Sequence, residues 1–139
     1  MPDHAVGLVV GVFDLFHIGH LDALRSAAAR CDRLVAAVAS DDLAARHGHR
    51  RPFVPETERE QIVGAVRDVE RVLVVDDADL RGLLHDIGAD VVLVLEDEAV
   101  GDAVDAGRTP VLPLADGRVT ASVAVRAALG GPDERSSVA

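Results

Sequence analysis

The chain contains no tryptophan, no tyrosine and only three phenylalanines among its 139 residues. Lysine is absent as well, because all 14 basic residues are arginine, and the formal net charge is -10. Proteins that bind nucleic acids use basic faces and aromatic stacking platforms, so we expect no nucleic-acid partner. An anion site in this chain must therefore use arginine, histidine, backbone N–H groups or helix termini.

Cysteine and long apolar runs are also scarce. Cys31 is the single cysteine, so no internal disulfide can form, which agrees with a reducing compartment. No stretch approaches the roughly 20 apolar residues that span a bilayer, and the N-terminal stretch lacks the basic lead of a signal peptide. We expect a cytoplasmic chain with no membrane partner, in which residues 1–130 form one domain and the polar residues 131–139 a disordered tail.

Short runs of valine, leucine and alanine recur along the chain. They are apolar on successive residues, as parallel strands buried on both faces require, and helix-like stretches separate them. The predicted strands begin at Val6, Arg33, Arg71, Asp90 and Thr109. The predicted helices cover residues 20–30, 55–66, 79–87 and 122–129. This alternation predicts an α/β fold, a single Rossmann-like doubly wound domain with a five-stranded parallel sheet.

The segment GVFDLFHIGH, residues 11–20, joins the first predicted strand to the first predicted helix. Ligands of such sheets bind at the carboxyl ends of the strands, where this segment begins. Gly19 lies between His17 and His20, and its missing side chain lets an anion approach the backbone as the helix starts. The residues alone leave two alternatives: one histidine caps the helix while the other is a polar core residue, or the pair ligates zinc, although closed zinc sites need more ligands.

Residues 11–20 resemble the motif G-x-F-D-x-x-H-x-G-H of the nucleotidyltransferase superfamily, and their surroundings are most similar to the glycerol-3-phosphate cytidylyltransferases. The resemblance covers roughly residues 6–128. Residues 32–42 are similar to the second strand and its turn, residues 50–75 to the basic loop, helix and third strand, and residues 87–98 to the fourth strand and its acidic end. In that family the histidine pair holds a nucleoside triphosphate while the phosphate of a second substrate attacks the α-phosphorus.

The resemblance implies a magnesium-dependent nucleotidyltransferase that forms a homodimer. It implies transfer of CMP from CTP to a small phosphorylated or phosphonate acceptor, with release of pyrophosphate. Two alternatives stand beside it: an ATP-dependent adenylyltransferase, because adenylyltransferases share the histidine motif, and a catalytically inactive nucleotide-binding protein with a degenerate late motif. A phosphate nucleophile is already ionised at neutral pH, so the chemistry needs positioning and hydrogen-bond donors more than a strong base.

The resemblance also assigns roles to individual residues. His17 and His20 are the predicted catalytic donors, and Asp14 is predicted to orient the turn or to act near a magnesium ion as its ligand. The residues predicted to bind the nucleotide are Val12, Phe13, His17, Gly19, His20, Arg50, Arg59, Asp97, Gly117, Thr120 and Ser122. The residues predicted to bind the acceptor are Arg51, Arg67 and Arg81. Solvated loop charge and surface ion pairing are the alternative explanations for these arginines.

Two stretches depart from the cytidylyltransferase pattern. The family carries a late motif like R-T-x-G-I-S-T; here Leu114 replaces the leading arginine and Val119 one hydroxyl residue, while Gly117 and Thr120 remain. After the fourth strand the family commonly has Gly-Asp-Asp-Trp, whereas residues 95–98 of this chain are Leu-Glu-Asp-Glu. The choice between CTP and ATP therefore stays open at the level of the sequence.

Overall fold

The computed structural model describes residues 2–48, 50–114 and 129. Within them one sheet contains β1 (His4–Gly11), β2 (Cys31–Ala39), β3 (Arg71–Val75), β4 (Val91–Leu95) and β5 (Val111–Leu114). Every ladder is parallel, and the strand order is β3-β2-β1-β4-β5. The predicted Rossmann-like α/β fold with a five-stranded parallel sheet is confirmed.

The helices in the described ranges are α1 (Ile18–Ala28), α2 (Asp41–His47), α3 (Glu56–Gly64), α4 (Arg81–Ile87) and α5 (Val100–Ala103). Helices α1, α3 and α4 confirm three predicted helices to within two residues at each end. Helix α2 was not predicted; Ser40 caps it by accepting the Leu43 N–H at 3.0 Å. None of the helices in this part of the chain is long and apolar enough to cross a bilayer.

The central strand shows why the apolar runs form a buried sheet. Residues Leu8–Val10 of β1 are fully buried, and their side chains alternate between two core clusters. Val9 belongs to the cluster that contains Leu24 of α1, whereas Val10 belongs to the cluster that contains Leu84 of α4. The sheet therefore has helices on both faces, which is the doubly wound arrangement.

The strand order reverses beside β1. The chain moves outward from β1 through β2 to β3, and then returns to the other side of β1 for β4 and β5. Ligands of open α/β sheets bind at the carboxyl ends of the strands beside such a switch point, which here lies between β1 and β4. The segment 11–20 leaves β1 at this end, and residues 96–98 leave β4 at the same edge.

Some predictions concern residues outside the described ranges. They are the predicted helix at residues 122–129, of which the structure describes residue 129 alone, the predicted disordered tail at residues 131–139 and the roles of Gly117, Thr120 and Ser122 in nucleotide binding.

Candidate active site

His17 and His20 lie together at the start of α1. The Gly19 N–H donates to His17 Nδ1 at 2.9 Å, and the His17 N–H donates to His20 Nδ1 at 3.2 Å. The two ring centroids are 4.1 Å apart. Because each Nδ1 accepts a hydrogen bond, each neutral ring carries its proton on Nε2. The pair caps the helix through one set of nitrogens and has N–H donors on the other.

The two imidazoles have different surroundings. His20 is buried, and its ring centroid lies 5.8 Å from that of Phe13 and 5.3 Å from that of Phe16. His17 is half-buried, and its Nε2 is the one buried side-chain nitrogen or oxygen in the described ranges that has no hydrogen-bond partner. A buried donor without a partner costs roughly 1–3 kcal/mol. His17 Nε2 therefore marks a position where a hydrogen-bond acceptor would be stabilising.

The turn between β1 and α1 is strained and held from two sides. Phe13 and Leu15 have φ values of 55° and 53°, in the left-handed region, at a cost of about 1–3 kcal/mol for each such residue. Between β1 and this turn, the Val12 N–H donates to Glu98 Oε1 at 2.8 Å. The Val12 carbonyl accepts from Arg59 Nη1 at 2.8 Å. These bonds to distant elements hold the strained turn in one shape.

Asp14 lies between the two left-handed residues and is buried. Its Oδ2 accepts the Phe53 N–H and its Oδ1 accepts the Val54 N–H, both at 2.9 Å. The carboxylate thus ties two segments together. One is the basic loop, residues 50–55 before α3, and the other is the histidine turn, which lies in the segment 11–20 between β1 and α1. Both oxygens are used by backbone amides, and residues 2–48 and 50–114 contain no group of three or more histidine, cysteine or acidic residues that could hold a metal ion. The described residues therefore offer no closed metal site on this turn, and the magnesium role of Asp14 stays a prediction.

Arg59 is buried, in contrast to the surface position that ion pairing along the helix would give it. Its Nε donates to the Val54 carbonyl at 2.8 Å, and its Nη1 donates to the carbonyls of Val12 at 2.8 Å and Ala39 at 2.7 Å. Its Nη2 donates to Asp41 Oδ1 at 2.6 Å. The guanidinium therefore joins the carboxyl ends of β1 and β2 to α3. The predicted role of Arg59 in nucleotide binding stays a prediction.

The loop between α2 and α3 carries the other arginines predicted at the site. The Arg50 guanidinium carbon lies 4.4 Å from the centroid of the Phe53 ring. Arg51 forms an ion pair with Asp42, and the two side chains are 63% and 61% exposed. Exposed pairs contribute only about 0–1 kcal/mol, so a stronger anionic partner can replace Asp42.

Arg67 and Arg81 lie in grooves that the histidines do not line. Arg67 follows α3 and borders a groove of about 950 Å³ between α1 and α3. Arg81 pairs with both carboxylate oxygens of Asp79, at 2.9 Å and 2.8 Å, and lies 3.6 Å from Asp105. Its hydrogen bond to Asp79 lowers the pKa of that carboxyl to about 2. The described contacts give neither arginine a link to the histidine turn, so their acceptor-binding roles stay predictions.

Glu98 is a residue at this edge that the sequence prediction missed. The prediction chose Asp97, which is exposed, whereas Glu98 is buried and accepts the Val12 N–H. No periodic pattern distinguishes the acids at residues 96–98, so nothing in the sequence indicated which of them turns inward. A partner as distant along the chain as Val12 is visible only once the sheet is formed.

These features define a class of protein. A doubly wound sheet with two histidine donors at a helix N-terminus, beside the switch point, is an arrangement suited to phosphate groups. A family model described as cytidylyltransferase-like matches residues 8–113, which include the histidine turn and all or part of every strand. The chain belongs to the cytidylyltransferase-like family of nucleotidyltransferases, so the predicted resemblance is confirmed.

Two relatives match nearly the whole chain. The bifunctional protein HldE of Rhodospirillum rubrum is 34% identical over 139 residues, which cover 94% of this chain and 28% of that protein. The bifunctional protein HldE of Gluconacetobacter diazotrophicus is 35% identical over 141 residues, with the same two coverages of 94% and 28%. The chain thus spans less than a third of the length of these relatives.

A solved structure has the same fold. The lipopolysaccharide core biosynthesis protein from Thermoplasma volcanium matches with a TM-score of 0.67 at 19% sequence identity. The match covers 83% of this chain and 99% of that chain.

Proposed function

We propose that this protein transfers a nucleoside monophosphate from a nucleoside triphosphate to a small phosphate-bearing acceptor and releases pyrophosphate. The observation that supports this best is the buried Nε2–H of His17, which lacks a hydrogen-bond partner among the described residues. A phosphate oxygen is an acceptor of the kind that this position requires. The N-terminus of α1 adds partial positive charge at the same place.

In this proposal the acceptor phosphate is the nucleophile. One of its oxygens forms a bond to the α-phosphorus, the bond from the α-phosphorus to the bridging oxygen breaks, and pyrophosphate leaves with that electron pair. The second ionisation of a phosphate monoester has a pKa of about 6, so the nucleophile needs no general base at neutral pH. His17 and His20 donate hydrogen bonds where negative charge increases, and Arg50 and Arg51 supply positive charge nearby.

We favour ATP over CTP as the nucleotide. The chain departs from the cytidylyltransferase pattern at Leu114 and at residues 95–98, and the relatives described above are HldE proteins, which fit ATP better. The proposal therefore takes ATP, the alternative that the sequence left open beside CTP. We propose a sugar phosphate as the acceptor, because membership of this nucleotidyltransferase family suggests an acceptor of that class.

Magnesium remains part of the proposal as an ion that neutralises the triphosphate. Mg²⁺ keeps several waters and is held largely by substrate phosphates, so it does not need a closed protein site. The homodimer and the cytoplasmic location also stay predictions.

Two measurements test the proposed function. Calorimetric titration of the protein with ATP and with CTP, each with Mg²⁺, should give the lower Kd for ATP. Pyrophosphate release should then appear when ATP is combined with one member of a panel of sugar phosphates. Binding without turnover across the panel would favour the inactive nucleotide-binding alternative, and failure to bind either nucleotide would contradict the proposal.

A further inference from the structure

The basic loop before α3 is fixed at two consecutive residues, Phe53 and Val54. Both of their N–H groups donate to the Asp14 carboxylate, and the Val54 carbonyl accepts from Arg59 Nε at 2.8 Å. The two charged side chains are buried, and a buried, fully bonded polar group stays in one position because leaving it would strand its partners. The end of the loop is therefore held rigidly against the histidine turn.

The Phe53 side chain extends from this fixed end of the loop toward solvent. It is 38% exposed in a chain that has only three phenylalanines. The Arg50 guanidinium carbon lies over its ring, 4.4 Å from the centroid. An arginine above an aromatic face is attracted by the ring quadrupole, and this attraction restricts the conformations of the Arg50 side chain. A continuous series of contacts thus runs from Asp14 through Phe53 to Arg50.

We propose that Asp14 is a positioning residue, which acts through the Phe53 ring to hold the Arg50 guanidinium ready for a phosphate of the nucleotide. The inference rests on the proposed function in one respect, that Arg50 contacts phosphate. An arginine that is already ordered loses less conformational entropy when the anion binds. Asp14 does this as an acceptor of two amide N–H groups, which is a different role from ligation of a magnesium ion.

A double-mutant cycle on nucleotide binding tests the step from Phe53 to Arg50. The Kd for ATP with Mg²⁺ is measured by calorimetry for wild type, Phe53→Leu, Arg50→Gln and the double variant. Phe53→Leu should raise the Kd about 2- to 5-fold, as expected for an exposed cation–π contact. It should have no further effect beside Arg50→Gln, and Phe53→Tyr, which keeps the ring, should restore the wild-type Kd. An equal effect of Phe53→Leu in both backgrounds overturns this step.

Asp14→Asn tests the anchor of the loop, by which we mean the two hydrogen bonds from the Phe53 and Val54 N–H groups to the Asp14 carboxylate. Asparagine offers one acceptor oxygen and an NH₂ group, so one of the two loop amides loses its partner. Amide hydrogen exchange at Phe53 and Val54 should become faster in this variant and stay at the wild-type rate in Asp86→Asn, which removes an exposed carboxylate on α4. Unchanged exchange at both amides overturns the anchor. The Phe53 variants keep the buried carboxylate, so the double-mutant cycle still decides the step from Phe53 to Arg50 where Asp14→Asn does not fold.

The Mg²⁺ dependence separates positioning from metal ligation. The Mg²⁺ concentration for half-maximal pyrophosphate release should be the same in Asp14→Asn as in wild type, while the KM for ATP rises. Loss of a metal ligand would instead raise that concentration about tenfold or more, and this result overturns the inference. A wild type that binds neither ATP nor CTP contradicts the proposed function and the role of Arg50 with it, whereas the exchange rates still decide on the anchor.

Discussion

Arg59 and Asp41 form an ion pair of 2.6 Å in which the arginine side chain is 0% exposed and the aspartate side chain 26% exposed. The same guanidinium also holds the last carbonyl of β2 and a carbonyl just beyond β1. The edge of the sheet that carries the histidine turn is therefore assembled around one buried cation.

Replacing Arg59 should destabilise the fold. Arg59→Met leaves the Asp41 charge and three backbone carbonyls without their donor, and removing one partner of a buried pair costs about 3–5 kcal/mol. We expect the free energy of unfolding, measured by urea denaturation, to fall by that amount. Arg81→Met is the matched control, because its ion pairs are exposed and contribute little to stability. An Arg59 variant as stable as this control would contradict the buried position.

Replacing either histidine of the turn should slow nucleotidyl transfer strongly. His17→Ala and His20→Ala each delete a proposed donor, and loss of one such donor typically lowers kcat about 100- to 1,000-fold. His17→Ala also deletes the N-cap of α1, in which His17 Nδ1 accepts the Gly19 N–H. This loss should lower the free energy of unfolding by about 0.5–2 kcal/mol. Pyrophosphate release is the measurement, with the exposed His85→Ala on α4 as control. Equal rates in His17→Ala and His85→Ala would remove the donor role.

Asp90 should make the stability depend on pH in the acid range. Partial burial acts to raise the pKa of Asp90, but hydrogen bonds from the N–H groups of Ala5 and Val6 and the nearby His4 together lower it. A lowered pKa stabilises the fold fully above the unfolded value of about 3.9. That stabilisation is lost as the pH falls through the folded value.

The Asp90→Asn variant tests this sign. At about pH 7 it should lower the free energy of unfolding by about 1 kcal/mol, a hydrogen-bond value reduced for solvent exposure. The difference from wild type should shrink as the pH falls toward about 2. Thermal unfolding at several pH values is the measurement, and a difference that is constant across this range would contradict the assignment.

Asp42 should compete with the acceptor for Arg51. The two side chains form an exposed ion pair in the absence of ligand, so Asp42→Asn leaves Arg51 available to an incoming phosphate. We expect the KM for the acceptor to fall about 2-fold, within the range of an exposed ion pair. The decrease should vanish in an Arg51→Gln background. A decrease that persists there would show that Arg51 is not the residue released.

The fold was predictable from the sequence because its strands are buried on both faces. Runs such as Leu8–Val10 are apolar at every position, which distinguishes them from strands with one wet face. Helix α2 escaped prediction because Leu43 is its only large apolar residue, whereas α4, which is equally short, has Leu83, Leu84 and Ile87. The Ser40 cap before two acidic residues was the signal that could have indicated it.

The partners within the site could not be predicted in the same way. The histidine turn is local, so its residues were found from a contiguous motif. Asp14 and Arg59 bind groups that lie far away along the chain; Asp14 and Val54, for example, are 40 residues apart. Local sequence shows that these residues are charged, but which amide or carbonyl meets them depends on the packed sheet. The sequence therefore indicated that both residues belong to the site, but not which protein groups they bind there.

A structure of the protein with ATP bound would test the histidine pair most directly. We expect a phosphate oxygen within about 2.7–3.2 Å of His17 Nε2. His17 Nδ1 should still accept from the Gly19 N–H, and His20 Nδ1 from the His17 N–H. A nucleotide bound with its phosphates elsewhere, and His17 Nε2 still without an acceptor, would contradict the proposed reaction.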